Sequence, residues 1–461
     1  MKVDILIAEI GSTTTMVNAF SGLSSDAPKY FGQGVAPTSV DRGDVRYGLD
    51  GAVEQLREKL GVRQLDWEHF FATSSAAGGL RMTVHGLAYD MTVRAGREAA
   101  LGAGANLHHV TAGKLRKSDL RKIRSIHPNI ILLAGGVDYG ERDTALHNSE
   151  LIADLLKQEE MKIPVVYAGN ITNREEVEAI FSENGHRLYT VENVYPRIDE
   201  LNIEPTRAVI QQVFEEHITG GPGMEHIRDR VNGPVIPTPG AVLLAAKALQ
   251  REIGDLCTID VGGATTDIHS VTAGSEAVSR VLIAPEPDAK RTVEGDLGTY
   301  VNRKNILKDK LKEKSAARLG MSVEELDQAI EMLPPIPQAE AEITLAEELA
   351  ESAALQALSR HVGRYRSLYG PEGKKDVAEG KDLMAVKYII ATGGALTRLP
   401  GRRRILENVL KKLPLNTLAP PTNAEIGFDS SYIMASLGAL STQFPDAAVS
   451  LLKESLWPDR Q

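Results

Sequence analysis

The sequence predicts an α/β protein built from more than one domain. Short apolar strands alternate with helical segments through most of the chain. Several of those strands end abruptly in glycine turns. With 461 residues, the chain also exceeds what one ordinary core organises.

Residues 5–10 read as a buried strand, 53–60 as a helix and 70–73 as the next strand. Strands at 81–86, 108–111, 130–134, 164–168 and 186–191 follow, with helices at 92–104, 118–125, 146–158 and 174–181 between them. Strands joined by helical crossovers make a doubly wound parallel sheet, here self-contained over 75–195. A helix at 205–216, a Gly/Pro-rich loop at 220–239 and a small-residue helix at 241–250 lead to a strand at 257–261. Residues 300–375, rich in Ala, Glu, Lys and Leu, read as helical without clear strands. Pro334, Pro335 and Pro337 break that stretch. A strand at 387–391 and a small-residue helix at 430–440 complete the chain.

Composition excludes several functions. The net charge of −10 offers no global field for nucleic acid or anionic lipid. The basic run Arg402, Arg403, Arg404, Lys411, Lys412 reads as a solvated helix face. No stretch approaches the roughly 18 apolar residues of a membrane span, and the N-terminal run lacks the features of a signal peptide. A cytoplasmic protein is expected. The single cysteine, Cys257, rules out a disulfide framework and reads as a packed thiol. None of the eleven histidines stands at zinc-motif spacing with cysteine or acid, so ordinary histidines are expected.

Three strand-then-glycine turns carry the chemistry. The first runs Glu9, Ile10, Gly11, Ser12, Thr13, Thr14. The second runs Asp260, Val261, Gly262, Gly263, Ala264, Thr265, Thr266, Asp267. In both, a strand places a carboxylate at its end, glycines let backbone N–H groups approach a ligand, and hydroxyls add donors. Such turns suit phosphate oxygens. The carboxylates of Glu9, Asp260 and Asp267 suit a hydrated Mg²⁺ that bridges them, and can position water for hydrolysis. Two such turns facing each other would clamp a triphosphate. The third turn, Gly393, Gly394 and Ala395, lacks carboxylates and suits an adenosine packed on backbone.

Three turns in this order resemble the phosphate-1, phosphate-2 and adenosine motifs of the actin–Hsp70–sugar kinase superfamily. The resemblance implies two ribonuclease H-like (actin-like ATPase) domains, with 75–195 as an inserted parallel α/β module of flavodoxin or Rossmann type. The expected parts are 1–74 and 196–250 for the first domain, 251–429 for the second with a helical insertion at 300–375, and 430–461 for a connecting helix and tail. The helices near 237–249 and 430–440 resemble the connecting helices, whose small residues allow a close crossing. Two departures stand out. Glu9 replaces the usual Asp, and residues 236–240 supply no acid or amide for the γ-phosphate. Both imply slow hydrolysis.

A closer similarity extends along most of the chain, through 9–15, 74–82, 99–104, 131–137, 165–170, 260–267, 291–298 and 392–394. It is to the accessory proteins of adenosylcobalamin-dependent carbon-skeleton mutases and aminomutases, the MutL family, unrelated to the mismatch-repair protein of that name. The resemblance implies a chaperone, a slow Mg-dependent ATPase that binds ATP and ADP. It would open an inactivated mutase and release damaged cobalamin. Which mutase is served, and whether the chain forms a homodimer, stay open. Residues 291–298 read as a loop that either touches nucleotide or caps the fold by salt bridges. The alternatives are a small-molecule kinase on the same fold and a nucleotide-gated scaffold. An activator of 2-hydroxyacyl-CoA dehydratases would need paired cysteines for an iron–sulfur cluster.

Overall fold

The computed structural model describes the chain except residues 12–13, 26, 40–43, 76–79, 219–226, 228–229, 234, 371–372 and 459–461. Two compact units emerge. Unit 1 comprises Met1–Leu244 and Ala435–Ala447, and unit 2 comprises Ala245–Met434 and Ala448–Gln461.

In unit 1, β1 (Lys2–Ile10), β2 (Thr14–Ser21) and β3 (Lys29–Pro37) form an antiparallel meander, and β4 (Asp66–Ser74) lies parallel to β1. Helix Arg46–Lys59 buries Leu49, Ala52 and Leu56 beside this sheet. Gly34 of β3 makes the approach close, since a methyl group there would collide with the helix backbone at Ala52.

Five parallel strands follow: β5 (Arg81–Gly86), β6 (Asn106–Ala112), β7 (Ile130–Ala134), β8 (Val165–Tyr167) and β9 (Leu188–Thr190). Their order, β6-β5-β7-β8-β9, is the flavodoxin-like doubly wound one. Helices Arg94–Gly102, Lys117–Ile126, Asp143–Gln158 and Arg174–Glu183 supply the crossovers. The chain then returns through β10 (Val235–Pro237), which pairs with β4 and completes the first sheet as β10-β4-β1-β2-β3. The expected loop over 220–239 therefore contains a strand. Its three residues are all buried against a strand formed some 160 residues earlier, a long-range pairing that local composition does not reveal.

Unit 2 repeats the first sheet's connectivity. β11 (Leu256–Val261), β12 (Thr266–Val271) and β13 (Ala289–Glu294) form the meander. β14 (Arg364–Gly370) and β15 (Gly373–Glu379) form a separate hairpin, and β16 (Tyr388–Thr392) and β17 (Glu425–Phe428) extend the main sheet in parallel. The order is β13-β12-β11-β16-β17. Two sheets of the same antiparallel-then-parallel pattern are the paired ribonuclease H-like folds that the motifs implied. The β14–β15 hairpin corrects the helical reading of 300–375. It is a largely exposed two-stranded ribbon, so no buried apolar run marks it in the sequence.

One face of the second sheet is apolar. Cys257, Ile259, Val261 and Ile268 pack in a core with Leu349, Ala350 and Ala353 of helix Glu340–His361. Each fully buried aliphatic chain there contributes about 1.5–3 kcal/mol. Cys257 is fully buried, and desolvation pushes its thiol up to about 12. Helix Thr238–Ile253 crosses helix Met434–Leu440 within unit 1, where a methyl group on Gly438 would overlap the backbone of Ala241. Among the described residues, no helix is long and apolar enough to cross a membrane.

Candidate functional site

The β1–β2 turn closes by a hydrogen bond from Gly11 N–H to the Thr14 carbonyl at 3.0 Å. A side chain on Gly11 would sit 2.7 Å from that carbonyl oxygen, so the turn demands glycine. Ser12 and Thr13 lie outside the described residues. Glu9, 5% exposed, points its Oε1 at Ser436, accepting from the backbone N–H at 3.1 Å and from the hydroxyl at 2.7 Å. Asn18 Nδ2 donates to the same hydroxyl at 2.9 Å. Ser436 lies in the first turn of helix Met434–Leu440, where unpaired N–H groups and the helix dipole favour a carboxylate. The extra methylene of Glu9 thus serves a helix start.

The β11–β12 turn has the same closure, with Gly262 N–H donating to the Thr265 carbonyl at 3.0 Å. Gly263 and Ala264 are exposed at its tip. The segment after β13 holds the turn from behind. Thr299 N–H donates to Gly262 O at 3.1 Å, Tyr300 and Val301 N–H to Gly263 O at 2.9 and 2.7 Å, and Asn302 Nδ2 to Ala264 O at 3.1 Å. With the carbonyls occupied, the tip can offer its amides outward, as a phosphate-binding nest does.

Below the tip, one sheet face is polar. Thr258 pairs with His269, and Asp260 with Asp267, across β11 and β12; Arg291 of β13 stands next to His269. Asp260 is half-buried, whereas Asp267, His269 and Arg291 are 5%, 0% and 1% exposed. Arg291 Nη2 lies 3.2 Å from Asp267 Oδ2. Asp267 Oδ1, both ring nitrogens of His269 and the Thr258 hydroxyl are buried without a hydrogen-bond partner. Such orphans normally cost about 1–3 kcal/mol each, so their clustering marks a place built for something else. One ligand atom from each of Asp260, Asp267 and His269 lies within 4.8 Å of the others. Burial raises the Asp267 carboxyl above its usual range, opposed by Arg291. Burial, aided by Arg291, holds His269 well below 6.5 and so neutral.

The third turn joins this face directly. β16 pairs Thr392 with Asp260, and Gly393 follows at φ +84°. A side chain on Gly393 would collide with the Asp260 carboxylate and come within 2.6 Å of Val261 N. Thr392 Oγ1 donates to Asp429 at 3.1 Å; Asp429 in turn accepts from the N–H groups of Ile433 and Met434.

Unit 2 therefore brings together Asp260, Gly262, Gly263, Ala264, Thr265, Asp267, Gly393, Gly394 and Ala395, while Glu9, Gly11 and Thr14 belong to unit 1. His269 was not read from sequence as a site residue, and Arg291 entered only within 291–298, whose contact with nucleotide stayed open. The signal was present: Asp267 and His269 are two apart on a strand, and alternate residues share a face. Residues 291–298 are not a loop throughout, since Arg291 to Glu294 complete β13. Arg360 pairs with Glu294 and Asp296 at the end of that strand. A surface cavity of about 660 Å³, lined by Arg402, Arg403, Lys411, Phe428 and Trp457, lies at the edge strand β17, apart from these turns. There Arg402 and Arg403 stack on the Phe428 ring, while Arg404 and Lys412 pair with Glu347 and Glu351, so the basic helix is only partly a solvated face.

The family described as MutL protein matches residues 5–456. Protein MutL of Clostridium tetanomorphum is 34% identical over 467 residues, covering 98% of this chain and 98% of its own. Among solved structures, a nucleotide-free acetone carboxylase is 12% identical over 95% of this chain and 70% of its own, with a TM-score of 0.43. A nucleotide-free diol dehydratase-reactivating factor is 12% identical over 96% of this chain and 100% of its own, with a TM-score of 0.38. An activator of 2-hydroxyisocaproyl-CoA dehydratase from Clostridium difficile, with bound ADPNP, is 10% identical over 97% of this chain and 96% of its own, with a TM-score of 0.30.

Proposed function

The chain belongs to the MutL protein family, and from that premise we propose that it is an ATP-dependent reactivating chaperone of an adenosylcobalamin-dependent mutase. The client is of the glutamate mutase or aminomutase type, and nucleotide-driven conformational change releases its damaged cobalamin. The observation that carries this reading is the repeated glycine hairpin, closed alike at Gly11–Thr14 and Gly262–Thr265. The pair fits phosphate binding, for which a scaffold that takes no nucleotide would have no use.

The residues fit a divalent cation. Asp267 Oδ1 is buried and unpartnered, and the Asp260 carboxylate lies in the same cluster. Asp260 and Asp267 would hold Mg²⁺, which when bound supplies charge neutralisation for phosphate oxygens. The amides of Gly263, Ala264 and Thr265, with Ser12, Thr13 and Thr14, bind phosphates, while Gly11 and Gly262, whose N–H groups close the turns, let the backbone come close; Gly393, Gly394 and Ala395 pack the adenosine. Glu9 helps to hold the attacking water. No acid occupies 236–240, and lack of a placed general base costs about 10²–10⁴-fold. Basal hydrolysis is therefore slow and rises with the client.

The test is reactivation. Cobalamin-inactivated mutase is incubated with this protein, Mg-ATP and fresh cofactor, and turnover is followed. Recovery that needs ATP and is lost in Asp260→Ala supports the reading. Recovery unchanged in Asp260→Ala, or absent with both client types, overturns it.

A further inference from the structure

We propose that Asp260, Asp267 and His269 form a direct oxygen–nitrogen ligand set that prefers a first-row transition cation, such as Mn²⁺ or Co²⁺, over Mg²⁺. This deepens the metal assignment above and rests on it. Two acids alone describe a site for a hydrated hard cation. The imidazole changes the chemistry. His269 is fully buried, both of its nitrogens lack a hydrogen-bond partner, and one lies with the two carboxylates inside a 4.8 Å cluster. Metal–ligand bonds of about 2.1 Å put two ligands of one ion at most about 4.2 Å apart. Three such ligands lie about 3.0–3.6 Å from one another, so the atoms need to close by about 1–2 Å at most.

The register makes this more than proximity. Asp260 and Asp267 are direct partners across β11 and β12, and His269 is two residues beyond Asp267 on the same face. The three side chains come from the two most central antiparallel strands of the sheet, which hold them rigidly. Arg291 engages Asp267 through Oδ2 and leaves Oδ1 unpartnered. Thr258, opposite His269, carries an unpartnered hydroxyl suited to orient the ring nitrogen that does not bind metal. Among Asp260, Asp267, Arg291 and a neutral His269 the net charge is one negative, so a divalent cation turns the row positive beneath the phosphate nest. Imidazole strengthens binding of first-row transition cations, with Mn²⁺ at the weak end of the series, whereas Mg²⁺ prefers oxygen and retained water.

The experiment uses the full-length chain and Mn²⁺ alone, without nucleotide. Pulsed electron paramagnetic resonance reads nitrogen bound to the metal. The expected result is a ¹⁴N coupling that becomes a ¹⁵N coupling in protein grown with ¹⁵N-histidine and disappears in His269→Gln. Competition calorimetry should show Mn²⁺ bound about 10–100-fold more tightly than Mg²⁺, with His269→Gln removing most of that difference. The isotope exchange needs no substitution, so it decides the matter even where His269→Gln does not fold. Mn²⁺ that fails to bind, or binds without nitrogen coupling, overturns the inference. Mg-ATP calorimetry on the same preparation separates the two readings. Normal Mg-ATP binding with no nitrogen coupling removes the histidine ligand and leaves the nucleotide site standing. Nitrogen-coupled Mn²⁺ with no ATP binding does the reverse.

Discussion

The β1–β2 and β11–β12 hairpins share a closing hydrogen bond and differ in what they bury. Each closes with a glycine N–H on a threonine carbonyl at 3.0 Å, and each places an acid two residues before that glycine. Across the ladder from those acids stand Met16 in the first hairpin and Asp267 in the second, and two residues further lie Asn18 and His269. In unit 1 the polar groups are consumed by structure, since Glu9 and Asn18 both engage Ser436. In unit 2 Asp267 Oδ1 and both ring nitrogens of His269 are left over. The same fold thus anchors a helix in one case and carries the proposed ligand set in the other.

The largest expected effect breaks this comparison outright. Asp260→Ala should weaken Mg-ATP binding and lower hydrolysis by about 10²–10³-fold, the scale of losing one preorganised electrostatic group. Glu9→Gln, which keeps an acceptor for Ser436, should hold the melting temperature and bind Mg-ATP normally while hydrolysing it more slowly. Glu9→Ala should also cost about 1 kcal/mol of stability through the lost helix contact. Calorimetry and thermal melts on the three variants check the contrast; equal losses of affinity at Glu9 and Asp260 would erase it.

Acidification comes next. His85 is pushed down to about 3, and His269 and His361 well below 6.5, all by burial. Each stays neutral when folded, while the unfolded chain protonates near 6.5. Their contribution is complete above pH 6.5 and is lost as pH falls toward the folded values, by about 1.4 kcal/mol per pH unit for each ring. Asp267 and Asp429 are raised and act with the opposite sign, losing stability as pH rises through their folded values. Unit 2 contains two of these three buried histidines, and unit 1 contains His85 and the exposed His108, which is also lowered, so unit 2 should lose more of this contribution between pH 6.5 and about 5. Urea unfolding followed by limited proteolysis of each unit measures this, and equal slopes would contradict it.

The glycines give a smaller and sharper contrast. A methyl group on Gly11 meets the Thr14 carbonyl at 2.7 Å, but on Gly262 it meets the Thr265 carbonyl at 3.2 Å. Gly11→Ala should cost about 1–3 kcal/mol and Gly262→Ala clearly less, by chemical denaturation. The smallest effect is at Arg360, half-exposed and paired with Glu294 and Asp296. Arg360→Ala should change stability by about 0.2–1 kcal/mol and leave Mg-ATP affinity unchanged.

What could be read in the sequence followed the physics of burial. β7 is a short apolar run that stops at Ala134 before Gly135, and β5 stops at Gly86; the ends of both were legible to the residue. β12 was not. Its six residues, Thr266–Val271, are all buried yet four are polar, so neither alternation nor apolarity announces them. Only the register with β11 explains why polar residues sit inside. The acids of the glycine turns were legible because a turn punctuates them. His269 and Arg291 were not, because strand pairing rather than sequence proximity brings them to Asp260. β10 was lost for the same reason, its partner lying on the far side of an entire α/β module.

Gly393 has a thermodynamic consequence. Its backbone rests against the Asp260 carboxylate with no room for a side chain, so the turn proposed for adenosine and the acid proposed for the metal share one wall. Any ligand that shifts that wall changes the free energy of both. Linkage then requires symmetry: whatever factor a bound cation contributes to nucleoside affinity, the nucleoside must return to the cation. Adenosine, which has no phosphate to touch a metal, should therefore alter Mn²⁺ affinity by the same factor that Mn²⁺ alters adenosine affinity.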